Sequence, residues 1–531
     1  MDMDIQSVAR ALARVSQEQR LIELSTALPD ALVVERFEGR EAVCDDFVFN
    51  VDCLSTDAFL DTRALIGNAM ALRLRRADDA QGRASAAGAG CAGAAGSLRH
   101  WHGHCTRVVA LGSDGGLARY RLVMEPWTAF LKLRRNALVF QDLDALGVLE
   151  RVLDDYPQAA LRVDATQSLP VYPITTQYRE SDHQFVFRLL ANAGLAWRFE
   201  HAQEAEGGVT LVVFDRDASV PEAIESTLRF HRSDATEATD AIQRFSEQRQ
   251  VTASVLGTAS WQPEQVEAVA AVATGAPAGP NTPALECFRT PRSGRFAARS
   301  DADQHAVLQL DAMRLPQRLH AGAGSARSMA SGFAFTLSQH PDLSGQAFVP
   351  LVIEHRAANN LDSGIVELLD TAGGIERGNY RNRFLAVTAE TPVVPVDRFK
   401  PTAPGMQTAT VVGLPETAVT STRDHQVRIQ FPWQRGAAPN PGGLAETGSS
   451  ANPEGHAPGD DTSGTWVRVA EWMAGANWGS HALPRVGSEV LVEFLHGDID
   501  QPVITGQLYN GNVAPPFALA DASNHPGPLS G

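Results

Sequence analysis

His102, His104 and Cys105, in the run Trp101-His102-Gly103-His104-Cys105, are residue types that bind zinc. Zinc needs several ligands converging on one point. Strand alternation puts His102 and His104 on one face and Cys105 on the other, and no second Cys/His cluster at zinc spacing lies nearby. The run reads as ordinary strand residues, unless His340 or His355 joins it in three dimensions. Gly497-Asp498-Ile499-Asp500-Gln501 carries two acids at i and i+2. A calcium loop needs more oxygen ligands, a glycine and a closing glutamate, so a polar turn is the better reading. Gly88-Ala89-Gly90-Cys91-Ala92-Gly93 matches G-x-G-x-x-G. Dinucleotide binding would need a strand before it, a helix opening on it and an acid about 20 residues later, and its flanks are Ala/Gly/Ser instead. Neither G-x-S-x-G, H-E-x-x-H nor a P-loop is present. The expectation is therefore a chain with no catalytic residue, no metal ligand and no cofactor.

Trp433, Trp466, Trp472 and Trp478 cluster in the last quarter of the chain and suggest base stacking on a barrel. Stacking sites sit in basic grooves. Here 45 basic residues face 62 acidic ones, a net charge of −17 over 531 residues. That balance argues against nucleic acid or an anionic membrane as the main partner, and core or interface packing is the expected role of the rings.

The elements that must position these residues are mostly strands. Residues 1–20 place Ile5, Val8, Leu12 and Val15 at helical spacing and read as a short helix or tail. From residue 21 the period becomes two. Phe47, Phe49, Val51 and Cys53 share a face, with Asn50 and Asp52 opposite, and further strands are expected at Met70–Leu74, His102–Leu111 and Arg119–Glu125. The stretch 77–98 is nearly all Ala, Gly and Ser and reads as a mobile inserted loop. One helix follows Asp142, with Leu146, Leu149, Val152 and Leu153 on a stripe. A second opens with Ser181 and Gln184 as a capping box, buries Phe185, Leu189 and Leu190, and stops at Gly194. Residues 262–284, rich in Ala, Pro and Gly without a period, read as a loop or subdomain boundary. Strands resume at Phe333–Leu337, Val349–His355 and Phe384–Glu390.

The Pro-rich stretch 392–404 reads as a linker between a region 21–391 and a domain 405–515. In that domain, strands at Val427–Phe431, Trp466–Trp472, Glu489–Leu495 and Val503–Leu508, with a long loop 435–464, suggest a small closed barrel of oligonucleotide/oligosaccharide-binding (OB) type. Pro484, Arg485 and Gly487 read as a turn fixing its strands, with Arg485 poised to pair with Glu489. Five cysteines do not form a disulfide framework, residues 1–20 do not resemble a signal peptide, and no run approaches the roughly 18 apolar residues of a membrane span. Folding in a reducing cytoplasm is expected, with any exit by a route that reads no signal peptide.

Four landmarks carry a resemblance. They are Val34-Glu35-Arg36-Phe37-Glu38-Gly39-Arg40-Glu41 with the Phe47–Val51 strand; Tyr178-Arg179-Glu180-Ser181-Asp182 with Phe185 and Gly194; and Gly378-Asn379-Tyr380-Arg381-Asn382-Arg383-Phe384. The fourth runs from Val427–Trp433 through Trp466-Val467-Arg468-Val469, Ala474-Gly475-Ala476-Asn477-Trp478-Gly479 and Leu483-Pro484-Arg485-Val486-Gly487-Ser488-Glu489-Val490. It continues to Gly497-Asp498, Gln501–Gly506 and Tyr509-Asn510. In order and spacing the chain resembles the VgrG spike proteins of bacterial type VI secretion, relatives of contractile phage tail hubs.

The resemblance implies a mainly β fold with α additions: two hub β-barrels, an OB barrel, then a C-terminal β-helix needle. This chain stops where the needle would begin, with 516–531 as the start of a connector. It implies a homotrimer that caps the tube of Hcp rings and meets baseplate components, an effector cargo or adaptor and, through the needle, a PAAR-type tip. The target membrane would be met only by puncture, and the protein would be cytoplasmic before firing. Two similar barrels per chain would let a threefold spike match a sixfold tube. The other classes weighed are a spike carrying a cell-wall hydrolase and an OB module binding nucleic acid or sugar; neither long loop has the composition of a folded catalytic insertion.

Overall fold

The structure, a computed structural model, describes residues 20–76, 98–114, 117–232, 240–263, 265–361, 376, 378–435, 459–511 and 515. The helix expected before residue 20, almost all of the 77–98 loop, residues 436–458 of the 435–464 loop, the Gly88–Gly93 match and the 516–531 connector lie outside them.

Alternation in the sequence becomes strands where it is sharpest. Phe49, Val51 and Cys53 of the strand Val48–Ser55 are fully buried. Asp52 is buried on the opposite face as well, because Arg36 and Arg121 cover it with charge-assisted hydrogen bonds of 2.9 and 2.6 Å. A twelve-stranded sheet runs in the order Ile22–Ser25, Ala69–Arg75, Leu98–Asp114, Leu117–Glu125, Val48–Ser55, Val33–Ala42, Ala347–Ala358, Asn379–Thr388, Arg318–Gly324, Ile242–Arg249. Glu222–Arg229 and Ala334–Ser338 branch from it. The two barrel-like halves are thus joined by backbone bonds: Val33–Ala42 pairs antiparallel with Ala347–Ala358, from Ala42 opposite Val352 to Arg36 opposite Ala358.

Each half uses one device that the sequence does not display as a repeat. Gly39 lies opposite Phe49, and Gly322 opposite Phe384. A Cβ at either glycine would fall 2.1 Å from the facing ring. The phenyl group therefore lies flat over the bare backbone, an arrangement that only glycine admits.

The helices are those the caps announce. Asp144 accepts from the Gly147 amide (2.8 Å) and starts Ala145–Leu153, which buries Val148, Leu149, Val152 and Leu153. Ser181 and Gln184 form both bonds of the capping box on Asp182–Asn192, and Gly194 turns the chain at φ +73°. The 262–284 expectation needs correction. Glu267–Thr274 is a strand, antiparallel to Val255–Gln262. Its alternating Val269, Ala271 and Ala273 are buried while Ala268, Ala270 and Val272 are exposed. Both faces are apolar, so no polar contrast marks the period. The helix Arg299–Arg314, with alanine at its N-cap and Asp301 accepting from the Ala297 and Ala298 amides, covers this sheet with Ala302, Ala306 and Leu310.

After residue 404, Gln407–Val412, Val427–Gln430, Thr465–Val469, Pro502–Leu508 and Glu489–Phe494 close a five-stranded barrel around Val411, Ile429, Val467, Val490, Val492 and Ile504. The Trp466 strand ends at Val469, short of Trp472. The fold is mainly β, with barrel-like sheets and an OB barrel. Among the described residues no helix is long and apolar enough to cross a membrane.

Candidate functional site

The polar turn at 497–501 is the centre of the junction between the large sheet region and the closed barrel. His496 (φ 55°) and Gly497 (φ +70°) reverse the chain after Glu489–Phe494. The Leu495 amide donates to Gln501 O (3.0 Å) and the Gln501 amide to Asp498 O (2.8 Å). That tight turn aims Asp498 and Asp500 the same way. The Lys400 ammonium bonds both carboxylates. Arg292 reaches Asp500 at 3.0 Å and Asp498 at 3.4 Å. The other Asp500 oxygen accepts from the Thr176 amide at 2.7 Å. Two acids from one turn and two bases from distant parts of the chain so form one neutral and largely buried quartet. Burial raises the Asp498 carboxyl, but Lys400 and Arg292 outweigh it and hold Asp498 below the usual carboxylate value. Burial also pulls the Lys400 ammonium down, against the two carboxylates.

The rest of the junction is built from the Tyr178 landmark. Arg179 at φ 54° turns the chain so that Tyr178 enters the core of the closed barrel, 5.4 Å from the Trp433 ring. Gln407 donates to Tyr178 Oη (3.1 Å) and accepts from Trp433 Nε1 (2.8 Å). Gln141 donates to Gly464 O (3.0 Å), and the Arg435 amide to Ala137 O (2.9 Å). The Pro-rich stretch 392–404 connects the two regions as a fixed strap. Val394 is buried against Leu308 and Ala312, Arg398 lies 5.1 Å over Trp197, and Asn192 exchanges bonds of 2.8 and 3.2 Å with the Arg398 backbone.

A second buried network lies at the seam of the twelve-stranded sheet. Trp101 Nε1 donates to Glu41 (2.5 Å), His355 Nε2 lies 3.0 Å from the same oxygen with poor hydrogen-bond alignment, and His355 Nδ1 meets Tyr380 Oη at 2.8 Å. Burial raises the Glu41 carboxyl, yet the proximity of His355, with Arg99 and His201, brings it down to about 2.

The residues singled out in the sequence fall in three places. Trp433, Gly497 and Asp498 belong to the junction. Pro484 is buried and Gly487 (φ +87°) turns the chain, its amide donating to Val411 O (2.8 Å). Arg485 is exposed and makes no ion pair with Glu489, which accepts instead from Asn510 (3.0 Å); the turn holds Arg485 outward. Trp466 is half-buried under the Arg428 guanidinium (4.6 Å). Trp478, 65 % exposed, and Trp472, 96 % exposed, are not core residues of this chain. They project from the hairpin of Ala474–Gly475 and Trp478–Gly479.

The histidines of the sequence are engaged separately. His102 lies 2.9 Å from Ala202 O, His104 packs on Phe130 and His340 on Phe230. Among the described residues no cluster of three or more His, Cys, Asp or Glu is placed to hold a metal ion. Lys400, Arg292 and Thr176 were not legible as site residues. The only signal was the acid pair beside a glycine, which says that cations are needed but not which.

The chain matches two family models: "Phage tail baseplate hub (GPD)" over residues 40–361, and "Type VI secretion system/phage-baseplate injector OB domain" over residues 455–509. Two similar curated proteins are type VI secretion system spike proteins of Pseudomonas aeruginosa. VgrG1b is 24 % identical over 95 % of this chain and 62 % of its own length, and VgrG4b is 30 % identical over 92 % of this chain and 56 % of its own. This chain therefore spans about three fifths of the relatives it matches. A solved structure of the Escherichia coli c3393 protein aligns with TM-score 0.59 at 17 % identity, covering 92 % of this chain and all of that one. That protein is described as a type VI secretion component similar to the T4 bacteriophage tail proteins gp27 and gp5.

Proposed function

This chain belongs to the phage tail baseplate hub (GPD) family, and from that premise we propose that it is the hub and OB part of a type VI secretion spike. Three copies would cap the Hcp tube, and sheath contraction would drive them from the cytoplasm through the target membrane. Baseplate components, an effector or adaptor and a PAAR-type tip are the proposed further partners. The role is mechanical rather than catalytic.

The observation that carries this reading is the bonding across both joints of the described residues. Backbone hydrogen bonds weld the two halves of the large sheet, and the buried quartet and the Tyr178–Trp433 packing fasten the closed barrel to it. A part that transmits an axial push needs such joints, because a hinge would absorb the stroke. Two barrel-like halves in each chain also suit a trimer seated on a sixfold ring. The exposed apolar set on the closed barrel, Trp472, Met473, Trp478 and Tyr509, is of the kind that assembly covers.

Native mass measurement tests the reading. Three chains of 57.0 kDa give 171 kDa. A trimer that sediments with Hcp rings supports it, and W472S/W478S should lower the trimer fraction without unfolding the chain. A stable dimer or tetramer would overturn it.

A further inference from the structure

Beneath the quartet lies a cavity of about 260 Å³, walled by the helices Ala145–Leu153, Asp182–Asn192 and Arg299–Arg314, by the 291–295 segment and by the strap. Its charged residues are nearly all satisfied. Lys400 and Arg292 hold Asp498 and Asp500. Arg188 makes bonds of 2.5 and 3.1 Å to Glu180, and Asp397 accepts from Gln309 at 2.6 Å with Arg289 3.9 Å away. Arg295 differs. Its guanidinium donates to the Asn192 carbonyl (2.9 Å) and lies 5.3 Å over the Tyr172 ring; the Asp397 and Asp301 carboxylates act on it through space, but among the described residues none is within ion-pair distance. Tyr172, on the same wall, has a buried hydroxyl without a hydrogen-bond partner. His305 nearby is held neutral, pushed down to about 3 by burial and by the Arg295 and Arg289 charges, so it adds no second positive charge there. The rest of the wall is apolar: Val148, Leu169, Pro170 and Leu189.

A guanidinium that touches no carboxylate, an orphaned hydroxyl and an apolar stretch of wall in one cavity define a ligand chemistry. We propose that this cavity binds a small amphiphilic carboxylate, its head on Arg295 and Tyr172 and its body along Val148, Leu169 and Leu189. A single guanidinium with donors to spare matches a singly charged head, and the planar fork of arginine suits a carboxylate. A phosphate dianion would ask for a second cation, and both neighbouring ones are already committed to the quartet. The inference does not rest on the spike reading, since it uses only the cavity's own residues.

Titration calorimetry on the full chain with sodium octanoate tests it, beside inorganic phosphate and octan-1-ol as controls. Octanoate should bind saturably at one site per chain. Octan-1-ol, which has the same body without the charge, should bind at least about tenfold more weakly, and R295M should cost octanoate a similar factor. Y172F should weaken it severalfold, and L169W should block the apolar end; melting curves identify any variant that has not folded. The proposal fails if octanoate does not saturate below about 10 mM, if R295M binds it as tightly as the parent, or if inorganic phosphate binds as well as octanoate.

Discussion

Replacing Lys400 with methionine keeps the length of the side chain and removes its charge. In the native protein two carboxylates face two cations, at side-chain exposures between 4 % and 18 %. Without Lys400, Asp498 and Asp500 share Arg292 alone, and a net negative charge stays in a poorly solvated place. Breaking a buried ion pair by removing one partner costs about 3–5 kcal/mol. Arg292 still reaches both acids and the Thr176 amide still serves Asp500, so the low end, about 3 kcal/mol, is expected for K400M. In a barrel of this size that is a fall of roughly 12 °C in the melting midpoint of the barrel transition. Differential scanning calorimetry reads the midpoint, and hydrogen exchange in Gln407–Val412 and Glu489–Phe494 shows whether the barrel is what loosens. The double variant K400M/D498N restores charge balance and should recover more than half of the loss. A loss under about 1 kcal/mol, the value of an exposed pair, or no recovery in the double variant, would refute the argument that the quartet is an electrostatic unit.

Other expectations follow from the same structure. G322A places a methyl group 2.1 Å from the Phe384 ring and should cost about 2–3 kcal/mol in urea unfolding, with F384L in the same chain returning part of it. G39A should behave alike against Phe49. Because the folded Glu41 carboxyl is lowered from 4.5 to about 2, its contribution is present above its ordinary value and is lost as pH falls through that window. Urea midpoints of the parent should therefore drop between pH 5 and pH 3 more steeply than those of E41Q. S181A removes the oxygen that accepts from the Gln184 amide (3.2 Å) and should cost about 1 kcal/mol. No loss in S181A would mean that the helix start is held by its packing alone.

Some features of the chain are local, and the sequence determined them. The alternation of Phe47–Cys53 and of Val427–Phe431 needs only a pleat with one dry face. The Ser181–Gln184 cap and the Gly194 stop need only the geometry of a helix end. The order of motifs from Val34 to Asn510 was enough to mark the family resemblance, because those residues keep their spacing whatever surrounds them. Where both faces of a strand are apolar, as in Glu267–Thr274, the local signal vanished, and with alanine at its N-cap the helix Arg299–Arg314 was silent.

Tertiary structure alone decided the charges. Asp498 and Asp500 announced a turn, but their partners are about 100 and 200 residues away, and no spacing rule reaches that far. The same holds for Glu41 and His355, which meet only because Val33–Ala42 pairs with Ala347–Ala358. It holds too for Arg295, whose lack of a contacting carboxylate is a property of everything packed around it. Pattern records which residues must leave water. Which acid meets which base is fixed only when distant strands and helices are brought together, since Coulomb attraction depends on distance in space and burial and not on separation along the chain.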